Sequence, residues 1–321
     1  MAAASIRLML ILLAFAAAGS APAADFPVRP IRILHGFSVG GTPDIVLRRI
    51  ASGLENRLGQ TVVVENRPGA TGTIAAASVA RAAPDGYTLL FGVAANLAVA
   101  PALMADPPYD PAVAFSPIVE VARGPYVWLV GADAPVRSLP EFIDWARRAP
   151  GKLNYASPGR GSVHHLATEL LKQAAGVDMV HVAYKSGLYS ALMAGEVQAM
   201  FESLPGPLPH LEAGKVRALA VTGQRRLPIL PGVPTFQEQG VADPDVSSWW
   251  GLVGPAGLPE AIVARLNSEV TTVLADPGLL QTLRGWGIEA TPGSAAGFGT
   301  HIRGESLRWK ERVTRFGIAL E

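Results

Sequence analysis

Residues 31–49 read IRILHGFSVGGTPDIVLRR, and the fold turns on how this stretch divides. Ile31–His35 is a short apolar strand, the next residues form a loop with Gly36, Gly40 and Gly41, and a helix follows. Thr42 suits the N-cap, where a hydroxyl accepts from an unpaired helix N–H. Pro43 suits the first helical position, because its missing N–H costs nothing there. Asp44 then meets the positive end of the helix dipole. Glycines lack a Cβ, so a ligand can reach the backbone N–H groups directly. A strand delivering such a loop to a helix N-terminus is an anion site. The loop therefore reads as the grip on one end of a small carboxylate.

The same unit recurs about 120 residues on. Lys152–Ala156 reads as a strand, Ser157-Pro158-Gly159-Arg160-Gly161-Ser162 as a glycine loop, and Val163–Ala175 as a helix. Between the two units the expected order is helix Pro43–Leu58, strand Thr61–Glu65 buried on both faces, helix Thr73–Ala83, strand Tyr87–Val93, strand Tyr126–Gly131 and helix Pro140–Ala149. Beyond the second come strands Met179–Ala183, Val197–Phe201 and Val216–Thr222, with a helix over Leu188–Ala194. Helices Pro259–Leu274, Pro277–Gly285 and Ser294–Phe316 close the chain. Strand–helix alternation of this kind implies a parallel sheet. Two such units imply two α/β lobes, with helix starts facing a crevice at the strand carboxyl ends.

The first 23 residues lie outside that pattern. A single basic residue, the apolar run Leu8–Ala18 and a small-residue end have the layout of a secretory signal, with cleavage after Ala23. Removing Arg7 leaves 26 of 27 basic residues against 26 acidic ones, so no basic footprint for nucleic acid remains. The chain has no cysteine, which excludes disulfides and thiolate metal sites.

Several motifs compete for the same residues. Gly36-Phe37-Ser38-Val39-Gly40 fits the hydrolase pattern G-x-S-x-G, and an exported serine hydrolase using Ser38 is the alternative function. Against it, Gly41-Thr42-Pro43 separates the serine from its helix, and almost no mature chain precedes it to supply oxyanion donors. Gly159-Arg160-Gly161 lacks the third glycine of a dinucleotide fingerprint. Adjacent His164 and His165 point about 100° apart on a helix and do not share an ion readily, so capping or core roles are favoured. His181, alternating with valines, reads as a partly buried core imidazole, and Trp249-Trp250 as packing. Lys185 is an anion contact or an exposed loop charge. Glu202, just past its strand, faces the cleft and repels anions unless the ligand brings an ammonium or hydroxyl donor.

These motifs together resemble the Bug-type solute-binding proteins of tripartite tricarboxylate transporters. The matching pieces include Pro30-Ile31, Phe37, Gly40-Gly41 with Asp44, Val64-Glu65-Asn66-Arg67-Pro68-Gly69-Ala70, Ala83-Pro84-Asp85-Gly86-Tyr87, Ser157-Pro158-Gly159, Tyr184-Lys185 and Val216-Arg217-Ala218-Leu219-Ala220-Val221-Thr222. The resemblance implies a type II periplasmic-binding-protein fold in the periplasm, working as a monomer with membrane permease subunits. It implies a dicarboxylate, tricarboxylate or aromatic acid as ligand, and no enzyme activity, cofactor, metal or nucleic acid. The expected domains are 24–126 with 247–321, and 127–246. The implied ligand-binding residues are Phe37, Ser38, Val39, Gly40, Gly41, Asp44 and Asn96 in the first lobe. Those in the second are Ser157, Gly159, Arg160, Gly161, Ser162, His165, Tyr184 and Glu202. Here Ser38-Val39 stands where Pro-Ala is usual and Arg160 where asparagine is frequent. Arg160 either adds a bidentate contact to a second carboxylate or points to solvent.

Overall fold

A computed structural model describes residues 26–37, 39–184 and 186–316. The signal segment, Ser38 and Lys185 lie outside the described residues. The elements are β1 (Ile31–His35), α1 (Thr42–Leu58), β2 (Val62–Asn66), α2 (Thr73–Ala80), β3 (Thr88–Val93), a wide π-helical segment (Ala95–Val99) running into α3 (Ala100–Leu103), and β4 (Phe115–Gly131). Then come α4 (Leu139–Arg148), β5 (Asn154–Ser157), α5 (Val163–Ala175), β6 (Val180–Ala183), α6 (Leu188–Met193), β7 (Ala199–Ser203), α7 (Leu208–Glu212) and β8 (Val216–Val221). The chain closes with β9 (Ser247–Pro255), α8 (Glu260–Leu274), α9 (Pro277–Gly285), β10 (Glu289–Ala290) and α10 (Ala295–Phe316).

β1 pairs in parallel with β2 and β3, as the alternation predicts. β2 is an edge strand: Val62 is buried but Val63 is 43% exposed, so the strand is not buried on both faces. β9, absent from the sequence reading, enters antiparallel between β3 and β4 and makes this sheet mixed. Its SSWWGLVGP run is not a regular alternation, and its glycines break a strand pattern. They are there for close approach: a Cβ on Gly251 would stand 2.2 Å from Phe298 of α10 and 2.8 Å from the Val119 carbonyl. Trp249 and Trp250 are buried in this core, the packing role expected of them.

β4 joins the two lobes. Residues 115–125 pair with β9, while 126–131 pair with β7 and β8. Only the second part was visible as a strand, because Pro117, Gly124 and Pro125 interrupt the first. Register shifts at Pro117/Val119 and Glu120/Ala122 show how the sheet absorbs that irregularity. In the second lobe β5 lies parallel between β6 and β7. Trp128 centres its core, with Phe201 at 4.8 Å and Phe142 at 5.2 Å between ring centroids. No helix among the described residues is long and apolar enough to cross a membrane.

Candidate functional site

The first loop is held from below. Thr42 is not the N-cap: Gly41 takes that place with extended dihedrals, Thr42 and Pro43 follow as the first two helical residues, and no side chain caps the helix. Asp44 does not face outward either. It is 2% exposed and its Oδ2 accepts the Gly40 N–H at 2.9 Å, pulling the loop back onto its own helix. Arg48 Nε meets both Asp44 oxygens at 3.0 Å, and Asn66 Nδ2 and His35 Nε2 reach Oδ1 at 2.9 and 3.0 Å. Burial opposes the charge on Asp44, but the bonds from Arg48, Gly40, Asn66 and His35 outweigh it. Together they hold the carboxyl well below the usual range. Burial lowers the pKa of His35 by more than Asp44 raises it, so the imidazole is neutral near pH 7.

The loop is also walled by backbone. A Cβ on Gly36 would stand 2.2 Å from the Gly72 Cα, so the chain at Gly36 touches the 69–72 loop main chain to main chain. The second of these loops has positive φ at four successive residues, Gly69 (138°), Ala70 (44°), Thr71 (57°) and Gly72 (84°). Backbone strain of this kind persists where surrounding contacts over-determine it, often at functional sites. Asn96 closes the group from the end of β3. It is fully buried, with Oδ1 accepting Val93 N–H at 2.9 Å and Nδ2 3.4 Å from the Gly72 carbonyl. Phe37 lies over Gly72, while Val39 is 71% exposed.

The second loop is built from its own side chains. Ser162 is the N-cap of α5, its Oγ accepting His165 N–H at 3.2 Å and donating to the Gly159 carbonyl at 2.7 Å. Gly161 N–H donates to His165 Nδ1 at 3.2 Å. Ser157 Oγ lies 2.7 Å from His181 Nε2 and accepts Gly159 N–H at 3.1 Å. Burial lowers the pKa of His181, with the charges of His165, Arg160 and Lys172 adding to it, and brings it down to about 4. The first-turn N–H groups of Val163 and His164 have no intrahelical acceptor and remain as donors. Arg160 is exposed at the rim.

The two lobes touch where these pieces converge. Thr42 Oγ1 lies 3.5 Å from the Ser203 carbonyl oxygen, and a Cβ on Gly206 would come 3.5 Å from the same Thr42 atom. Because β5 and β7 are parallel neighbours, Ser157 and Ser203 end at one edge of the second sheet. β1 and β3 bring the first loop and Asn96 to one edge of the other. Glu202, expected just past its strand, lies within β7 beside this seam, 3.2 Å from His164 Nε2. Tyr184 is set to one side, with its hydroxyl 3.4 Å from Glu196.

Sequence reasoning missed the residues beneath the first loop, His35, Arg48, Asn66 and Gly72, and the cluster of Tyr126, His164 and Tyr189 around Glu202. Only Asn66 carried a signal, as part of a motif. Among the described residues no group of three or more His, Cys, Asp or Glu side chains is placed to hold a metal ion.

A two-lobed α/β molecule with two glycine-loop helix starts converging on one interlobe seam is a ligand-binding protein of the periplasmic-binding type. Residues 46–318 match the model of the tripartite tricarboxylate transporter family receptor, and the chain belongs to that family. A protein encoded in the tcbD-tcbE intergenic region of Pseudomonas sp. strain P51 is 36% identical over 91% of this chain and 88% of its own length. The structure of R. palustris Rpa4515 with adipate is 36% identical, with a TM-score of 0.87 over 92% of this chain and 99% of that one. MatC from Rhodopseudomonas palustris, with bound malate, is 33% identical, with a TM-score of 0.84 over 90% and 100%.

Proposed function

We propose that this chain is an exported solute-binding protein that captures a small carboxylate between its lobes and passes it to the permease of a tripartite tricarboxylate transporter. The observation that carries the reading is that Thr42, at the first helix start, meets Ser203 while His164, at the second, meets the adjoining Glu202. A charge-assisted hydrogen bond contributes about 1.5–3 kcal/mol, and a helix terminus adds roughly 0.3–1, up to ~2 when partly buried. Two termini together approach the ~8 kcal/mol of a micromolar ligand.

Phe37, Val39, Gly40 and Gly41 form the first grip in this reading, and Gly159–Ser162 with Arg160 the second. Asp44, Asn96, Ser157 and His165 shape the loops from behind. Ser38 stands between Phe37 and Val39 in the sequence and is counted with them, and Tyr184 flanks the second loop. The domains divide at 126/127 and 246/247, near the change of partners along β4, and the protein works as a periplasmic monomer without catalysis. The adipate and malate seen in the two relatives support an acid of that size.

A thermal-shift screen against a panel of carboxylic acids tests this, since a ligand of the native state raises the melting temperature. A panel without a single shift, or a serine-directed fluorophosphonate that labels Ser38, overturns it.

A further inference from the structure

We propose that Glu202 makes the cleft selective for carboxylates that carry a hydroxyl or ammonium donor, over otherwise identical acids that lack one. This rests on the carboxylate reading above and specifies its ligand class.

Glu202 is an acid placed where two helix starts offer their donors to an acid. Its neighbour Ser203 touches Thr42 of the other lobe, and its own side chain, 14% exposed, meets His164 in the first turn of α5. Two donors hold it: His164 Nε2 at 3.2 Å and Ser203 N–H at 2.9 Å both meet Oε1. Burial and the nearby Glu202 charge raise the pKa of the Tyr189 hydroxyl beside them. A carboxylate offers about four lone-pair sites, so room remains for one more donor.

The holders are themselves fixed. Tyr126 packs edge-on against His164 at 5.1 Å between centroids, and the Tyr189 ring lies 4.6 Å from that of His210. The Tyr189 hydroxyl fills the space a Cβ on Gly206 would need, 2.4 Å away. Glu202 is thus oriented before any ligand arrives, which reduces the ordering cost of binding. His164 also keeps one ring nitrogen uncommitted. Its Nδ1 is buried and has no partner in the structure.

A ligand that brings an O–H or N–H to Glu202 completes the set. Its plain analogue brings only like charge and takes water from a carboxylate without replacing it, the asymmetry by which polar sites reject analogues lacking a hydroxyl.

Titration calorimetry on the full mature chain tests the idea with two matched series: succinate, malate and aspartate, and glutarate, 2-hydroxyglutarate and glutamate. In at least one series the donor-bearing acids are expected to bind tenfold or more tightly than the plain one. Glu202→Gln is expected to bring that ratio to within about threefold, chiefly by improving the plain acid, a change that a general packing defect does not produce. Plain acids that bind as well as their hydroxy and amino partners overturn the selection while leaving carboxylate capture intact. An unchanged ratio in Glu202→Gln with an unaltered circular dichroism spectrum also overturns it. Should the variant not fold, the wild-type ratios decide alone. If none of the six acids binds, the carboxylate reading falls and the selection with it.

Discussion

Asp44 is an acidic residue under a loop proposed to bind acids, and its environment resolves the conflict. Arg48, Asn66, His35 and the Gly40 N–H take up its charge, so in the proposed site it shapes the loop rather than facing the ligand. Asp44→Ala is expected to cost about 2–3 kcal/mol in urea unfolding, since it leaves buried donors unpaired. Calorimetry should show more than tenfold weaker ligand binding as the loop loosens. Gly36 makes a sharper case. A methyl there meets the Gly72 Cα, which is main chain and has nowhere to rotate. Gly36→Ala is therefore expected to destabilise by about 1–3 kcal/mol, seen as a lower melting temperature. The sequence showed both residues as parts of a glycine loop. Arg48, Gly40 and His35 are near Asp44 in sequence, but Asn66, 22 positions from Asp44, and Gly72, 36 from Gly36, are brought in by the fold.

At the scale of elements, the second loop depends on imidazoles kept neutral. His181 is held near pKa 4 against an ordinary 6.5, and burial lowers His165 and His35 as well. The folded state therefore binds fewer protons than the unfolded state between those pH values. Stability is complete above pH 6.5 and is lost as pH falls toward 4. His181 contributes ~3 kcal/mol to that loss at most. Urea unfolding at pH 8, 6 and 4.5 should follow this fall, and His181→Asn should flatten it. The helices themselves were legible: α5 and α9 match their expected spans, because helix periodicity and caps are local. β9 and the first part of β4 were not, because their prolines and glycines serve bulges and close helix contacts that pair distant segments.

For the whole molecule, the strands that cross between lobes are the natural hinge. Thr222 Oγ1 ties them together, accepting Tyr126 N–H at 2.9 Å and donating to the Val246 carbonyl at 3.0 Å. Asp245, at a φ of 50°, is strapped to α10 by Arg308 and Arg312, each at 2.8 Å. Ligand binding is expected to close the lobes about segments 122–127 and 245–251. Small-angle scattering should then report a smaller radius of gyration with saturating ligand. Thr222→Val is expected to unfold at lower urea while its closure persists; an identical radius with and without ligand rules out closure.

The sequence by itself determined two glycine loops feeding two helices, and through them the family, because turns, caps and periodicity depend on near neighbours. Which way the charged groups of those loops point was decided only by tertiary structure. Asp44 turns inward because His35 of β1 and Asn66 of β2 lie beneath it, and Glu202 stands at the seam because β7 runs beside β5 and ends against Thr42. Electrostatics and hydrogen bonding act through space, so the roles of those two acids follow from the strand pairing that brings their partners to them.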